Sequence, residues 1–168
     1  MKKLIFTVAT ILTATFGLKA QNQIGATIGL MQINAGDSES SNLIGLSVFT
    51  KHNLNDKLRI GVNLGYYSKS EDDISLFSMP ITGLIEYKHK MDKLYPFGGI
   101  EVGLNRFGLS DGEHTYATIN LALAPVIGVD YELNKQFNAV LNAKYNYIMT
   151  ENNATTGLGF NIGVTYKL

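Results

Sequence analysis

Apolar and small polar residues alternate one by one along most of this chain. The last stretch is the most regular. Leu158, Phe160, Ile162, Val164, Tyr166 and Leu168 fall on one side, and Gly159, Asn161, Gly163, Thr165 and Lys167 on the other. A strict period of two is the signature of a strand with two unlike faces. The same pattern predicts strands over Gln23–Ile33, Leu43–His52, Leu58–Tyr67, Leu76–Lys88, Tyr95–Phe107, Tyr116–Glu132 and Phe137–Tyr147. Phe49 blurs the second of these. Pro80 and Pro125 fall inside the fourth and sixth, where they suggest bulges or, for Pro80, a strand end. Between the strands lie turn-rich segments such as Asn34–Ser41, Asn53–Asp56, Ser68–Asp73, Gly108–Thr115 and Leu133–Gln136. Each strand is ~10 residues long, the length a tilted strand needs to cross a membrane.

The polar face separates a membrane barrel from a soluble one. A solvated strand face is rich in charge, whereas here it is mostly Gly, Asn, Thr and Ser. Such residues suit the crowded interior of a narrow cylinder, which eight strands leave just wide enough for side chains. The apolar face then meets acyl chains. The fold expected is all-β, an eight-stranded antiparallel up-and-down transmembrane β-barrel. Alternating strand direction groups Tyr66, Phe77, Tyr116, Tyr145, Tyr147 and Phe160 at one rim, and Tyr87, Tyr95, Phe97, Tyr131, Phe137 and Tyr166 at the other, as two aromatic girdles. The connections also differ. One set carries Asp37, Glu39, Glu71, Asp72, Asp73, Asp111, Glu113 and Glu151 with Lys69; the other carries Lys51, Lys57, Lys90, Lys93 and Lys135. With a periplasmic N-terminus, the acidic and longer loops face outward.

Composition adds an address. Residues 1–20 read as a secretory signal peptide: Lys2 and Lys3, an apolar run Leu4–Phe16, and Leu18-Lys19-Ala20 before a cut at Gln21. The run is shorter than a membrane-spanning helix requires. Residues 21–168 form the barrel domain. Removing Lys2, Lys3 and Lys19 leaves 11 basic against 14 acidic residues, a net charge of −3. That argues against nucleic acid as a partner. With no cysteine, an exported domain here must hold without disulfides. Charged residues are 17% of the chain, below the ~25% of soluble domains.

Two segments carry a family resemblance. Leu94–Phe107, LYPFGGIEVGLNRF, resembles a strand opener of bacterial outer-membrane β-barrel domain proteins of the porin-family or OmpX/OmpA-barrel type. Phe160–Leu168, FNIGVTYKL, resembles their C-terminal insertion signal, with Leu168 where the family usually ends in Phe or Trp. The resemblance implies a bacterial outer-membrane location and, as partners, outer-membrane lipids, lipopolysaccharide and the outer-membrane assembly machinery engaged through the last strand. A monomer with no cofactor is expected.

Candidate chemistry concentrates on the inward face. Arg59, Glu86, Lys88, Glu101, Asp130, Glu132, Lys144 and Lys167 are expected to form an interior charge network, because an unpaired charge in a narrow lumen costs several kcal/mol. Glu101 is expected near mid-barrel, reaching Lys144 or Lys167. Ser110, Asp111 and His114 share one loop, but a Gly-flanked loop tip is a poor frame for a triad, and His52 and His89 belong to the opposite rim. No catalytic or metal site is expected; Asp72-Asp73 and Asp111-x-Glu113 lack the spacing of a cation loop. The function expected is a structural or surface-interaction role with a plugged interior. The alternatives are a narrow channel for ions or small solutes, and a soluble exported lipocalin-like ligand-binding barrel.

Overall fold

The alternation becomes eight strands in a computed structural model that describes residues 22–35, 40–71, 74–150 and 154–168. They are β1 Asn22–Ala35, β2 Ser41–Asn53, β3 Leu58–Glu71, β4 Ile74–Lys88, β5 Leu94–Ser110, β6 Thr115–Glu132, β7 Phe137–Met149 and β8 Ala154–Lys167. Each pairs antiparallel with its neighbours in sequence, and β1 pairs with β8, so the sheet is a closed up-and-down barrel. Closure leaves no strand edge, which satisfies the backbone without help from water. The predicted signal peptide, residues 1–20, lies outside the described residues.

Outward positions keep their aliphatic side chains exposed. Leu46, Ile28, Ile162 and Leu141 are successive cross-strand partners and are 53–67% exposed. Ile44, Val62, Ile81, Leu104, Ile119 and Ile127 extend the same belt around the cylinder. An apolar surface of this extent is a lipid or partner surface. The girdles are less complete than the pattern suggested. Tyr66, Tyr116, Tyr145, Phe160, Tyr87, Tyr131 and Phe137 are exposed, but Phe97 is buried in the interior and Tyr95 bonds inward to Glu132. Both share parity with Glu101 on β5, so their direction follows from the pleat.

The expected bulges are absent. Pro80 pairs with Asn105 in an unbroken β4–β5 register. On its other side the β3–β4 register is the same before and after two missing pairs, at Gly65 and Tyr66. Pro125 behaves alike, paired with Ile100 of β5 while the ladder to β7 skips two positions and resumes unshifted. Proline removes one donor on one side, and a closed sheet tolerates that loss without an extra residue.

At the end bearing Asn22 and Leu168, called terminal here, two of the three turns share one build, while the one between β4 and β5 is held by a Met91–Leu94 bridge with Asp92 at φ 58°. Asn55 Oδ1 accepts the N–H groups of Lys57 and Leu58, and Asn134 Oδ1 those of Gln136 and Phe137. Side-chain amides at such positions mimic a backbone turn. At the distal end the connections are not longer, contrary to expectation. Segments read as loops continue the ladder: Glu71 pairs with Ile74, and Ser110 with Thr115. Both faces meet water there, so the period of two fades while backbone pairing persists. Asp37, Glu39, Asp72, Asp73 and Glu151 lie outside the described residues; Glu71, Asp111 and Glu113 are exposed.

If the belt faces acyl chains, a charge at its middle is costly. Ile162→Lys should lower the free energy of folding into lipid vesicles by roughly 2–4 kcal/mol, measured by urea unfolding. An unchanged midpoint would place this face in water.

Candidate functional site

The interior is built from the odd residues of β1, β2, β3, β5 and β8 and the even residues of β4, β6 and β7. Near the terminal end, Arg59 of β3 is 1% exposed and lies opposite Glu86 of β4 in the ladder. Its Nε–H donates to Glu86, and Nη1 donates across the lumen to Asp130 of β6 at 2.5 Å. Lys51 of β2 donates to the same Glu86 at 3.1 Å. That contact passes over β3 at Gly61, the ladder partner of Lys51. A side chain at Gly61 would stand in its way, and its Cβ would come 2.0 Å from the Thr50 carbonyl oxygen.

A second group sits further in. Glu101 of β5 accepts from Lys144 of β7 at 2.5 Å, from Thr82 at 2.9 Å and from Asn63 at 3.3 Å. Lys144 reaches over Ala124, the cross-strand partner of Glu101. Lys167 does not join this group; it donates to Glu132 at 2.9 Å, half-buried at the terminal mouth. Lys88, also near the mouth, donates to Asn53 at 2.6 Å, and among the described residues it has no carboxylate within salt-bridge distance. The eight predicted residues therefore form three clusters and one separate lysine, not one network.

Lys51 was assigned to the basic terminal rim, whereas it is buried and ion-paired inside. Its parity with Gly45 and Ser47 carried the signal. Its inclusion makes five interior cations against four carboxylates.

The lumen also holds apolar residues that the pattern did not emphasise. Phe49, Phe97, Val126 and Val140 form one buried cluster. Phe97 lies between Lys51 Nζ at 4.7 Å and the Arg59 guanidinium at 4.5 Å, so two cations share one aromatic face system. Space for these rings comes from glycine: a Cβ at Gly25 would approach the Phe49 ring to 2.3 Å, and one at Gly128 the Phe97 ring to 2.5 Å. A distal cluster of Met31, Ile33, Leu43 and Tyr67 is backed by Leu76 and Phe107. Between the two clusters lie hydroxyls and amides: Thr27 with Ser47, Ser78 with Asn105, and Tyr67 to Asn161 to Asn142.

The distal Ser110, Asp111 and His114 are not arranged for nucleophilic catalysis. Ser110 Oγ donates to the His114 carbonyl oxygen at 3.3 Å and contacts Thr115. Asp111 Oδ1 caps its own turn by accepting the N–H groups of Glu113 and His114. His52 contacts Asn22 at 2.7 Å. Among the described residues no group of carboxylates, histidines or cysteines is placed to hold a metal ion.

The ion pairs support a test. Removing one partner of a buried pair costs ~3–5 kcal/mol, because the other charge stays buried. Glu86→Gln strands Lys51 and weakens the hold on Arg59, so it should lower the unfolding midpoint in detergent more than Glu101→Gln does. Adding Lys144→Met to Glu101→Gln should recover most of that variant's loss. Additive losses in the double variant would mean the pair contributes no coupling.

A family model described as outer membrane protein beta-barrel domain matches residues 4–167. Among curated proteins none matches the chain. Among solved structures, Neisserial surface protein A is similar with a TM-score of 0.76 at 20% identity, covering 88% of this chain and 97% of that one. The attachment invasion locus protein Ail of Yersinia pestis is similar with a TM-score of 0.66 at 12% identity, covering 90% and 100%. The outer membrane protein OprG from Pseudomonas aeruginosa gives 0.59 at 16% identity, covering 90% and 98%. At these identities the likeness is one of fold.

Proposed function

This chain belongs to the outer membrane protein beta-barrel domain family, and from its place as an integral outer-membrane barrel we propose that it is a closed structural element of the envelope that meets its surroundings through its distal hairpins. Family membership sets aside the soluble lipocalin-like alternative. The observation that carries the proposal is the pair of apolar layers across the lumen, at Phe49–Phe97–Val126–Val140 and at Met31–Ile33–Leu43–Tyr67. A hydrated ion crossing the distal layer would leave its water for an apolar constriction, which is how hydrophobic gates block conduction, and at the other layer a cation would also meet Lys51 and Arg59 lying against Phe97. Among the described residues, two cavities of the interior are only about 20 and 10 Å³. Most of the intervening hydroxyls and amides are bonded to one another or to Glu101, so few are left to replace a hydration shell.

The terminal end faces the periplasm in this reading, with residues 1–20 directing export before the barrel inserts. The assembly machinery engages β8, whose apolar face ends at Leu168, and lipids and lipopolysaccharide surround the belt. A single chain suffices, since closure leaves no strand edge to pair with a second copy. Catalysis is not part of the proposal: Ser110 Oγ is turned to a backbone carbonyl, not to an imidazole. Among the described residues, the 111–114 turn offers partners a small surface at the distal end.

Planar-bilayer recording tests the reading. The purified protein should give no steady unitary conductance, and the doubly truncated variant Phe49→Ala/Phe97→Ala should gain one more readily than the parent. Regular conductance steps from the unaltered protein would replace this reading with the narrow-channel alternative.

A further inference from the structure

Parity gives every second residue of the eight strands an outward side chain. Among these outward positions Arg106 of β5 is the only lysine, arginine, aspartate or glutamate. All other charges of the strands have the parity of the lumen. Arg106 is exposed, and among the described residues no ion pair or hydrogen bond holds its guanidinium. Its contact is with a ring: the guanidinium lies 5.5 Å from the centroid of Phe77. Phe77 also has outward parity, on β4, yet it is only 8% exposed, because the arginine lies over it.

Register sets the height of this group. Arg106 pairs with Met79 of β4 and Ile119 of β6. The distal-most β6–β7 pair is Leu121 with Met149, so Arg106 stands where that ladder has ended. Toward the terminal end the outward positions of β5 are Leu104, Val102 and Ile100; toward the distal end they are Gly108 and Ser110. On this strand the aliphatic belt therefore stops at Arg106. Phe77 pairs with Gly108, one outward position further distal, so the arginine leans away from the belt to reach the ring. That is the posture of a side chain that keeps its stem on apolar surface and its charge at the interface. A guanidinium on the lipid face is costly at the bilayer centre and tolerated near the interface.

The interface supplies the missing partner. Lipid phosphates lie in that plane, and the planar fork of a guanidinium matches phosphate oxygens in a bidentate contact. Stacking on Phe77 fixes the plane of the fork and leaves its N–H groups free. Just distal to it, the paired outward residues Gly108 and Ala117 carry no side chain larger than a methyl, so nothing there competes for the space. We propose that Arg106, seated on Phe77, is the docking point for the phosphate of an outer-leaflet lipid of the lipopolysaccharide class, whose acyl chains continue over Leu104 and Ile119. This rests on the reading that the distal end faces outward.

Native mass spectrometry of the folded protein in a neutral maltoside detergent tests the site, with bisphosphorylated lipid A and the same lipid stripped of its phosphates as probes. The protein should retain the phosphorylated lipid about tenfold more tightly than the stripped one, and Arg106→Gln should abolish that difference. Phe77→Leu, which keeps the bulk and removes the ring, should weaken the phosphorylated lipid about threefold. Heat-dependent gel mobility confirms that each variant is folded. Equal retention of phosphorylated lipid by the parent and Arg106→Gln would overturn the site. Complete displacement by millimolar inorganic phosphate would overturn it in favour of a soluble anion. Orientation is read separately. The chain has no cysteine, so Glu113→Cys carries a single label site, which a membrane-impermeant maleimide should reach on intact cells. Labelling only in broken cells would overturn the orientation and with it the outer-leaflet source, whereas labelling of intact cells together with equal lipid retention would overturn Arg106 alone.

Discussion

A cylinder of eight strands leaves its interior barely wider than the side chains that fill it, and every other feature of this molecule answers to that confinement. An inward residue cannot escape to solvent, so its volume and its charge must be matched by the residues facing it. Glycine and alanine recur inside because long neighbours need a path: Lys51 crosses Gly61, Lys144 crosses Ala124, and the Phe49 and Phe97 rings rest where Gly25 and Gly128 have no side chain. Substituting Gly61 or Ala124 would act on an ion pair between the two flanking strands, and substituting Gly25 or Gly128 on the ring of its direct cross-strand partner.

Confinement also explains why the interior is layered. Charges inside a low-dielectric wall are tolerable only when paired and hydrogen-bonded. Two of the carboxylates accordingly gather several donors, Glu101 from three strands and Glu86 from two cations. Aromatic and aliphatic residues fill the remaining cross-section, and Phe97 does both tasks by lying against Lys51 and Arg59. The outcome is a solid core turned inside out with respect to a soluble protein, with exposed aliphatics outside and buried charges within.

The same geometry separates the two ends. The distal end finishes in exposed polar and charged residues such as Glu71, Asp111 and Glu113, above the buried Met31–Ile33–Leu43–Tyr67 cluster. The terminal end opens into a cavity of about 160 Å³ lined by Arg59, Lys88, Asp130 and Lys167 among others.

Alternation alone determined the strand count, the direction of each side chain and the lipid-facing belt, because the pleat converts residue parity into inside or outside. Parity even pointed Lys51, Tyr95 and Phe97 inward, although composition drew Lys51 to a basic rim and the rings to a girdle. Which interior charges meet was decided only by the closed barrel. Arg59 and Asp130 are 71 residues apart, and the pairing of Lys167 with Glu132 rather than Glu101 depends on height along the axis, which strand tilt and register set. The fates of Pro80 and Pro125 were likewise tertiary: a missing amide permits a bulge, but neighbouring strands held in register on both sides leave no room for one. A one-dimensional pattern records which way a residue faces and not how high it stands in the cylinder, and contact requires both.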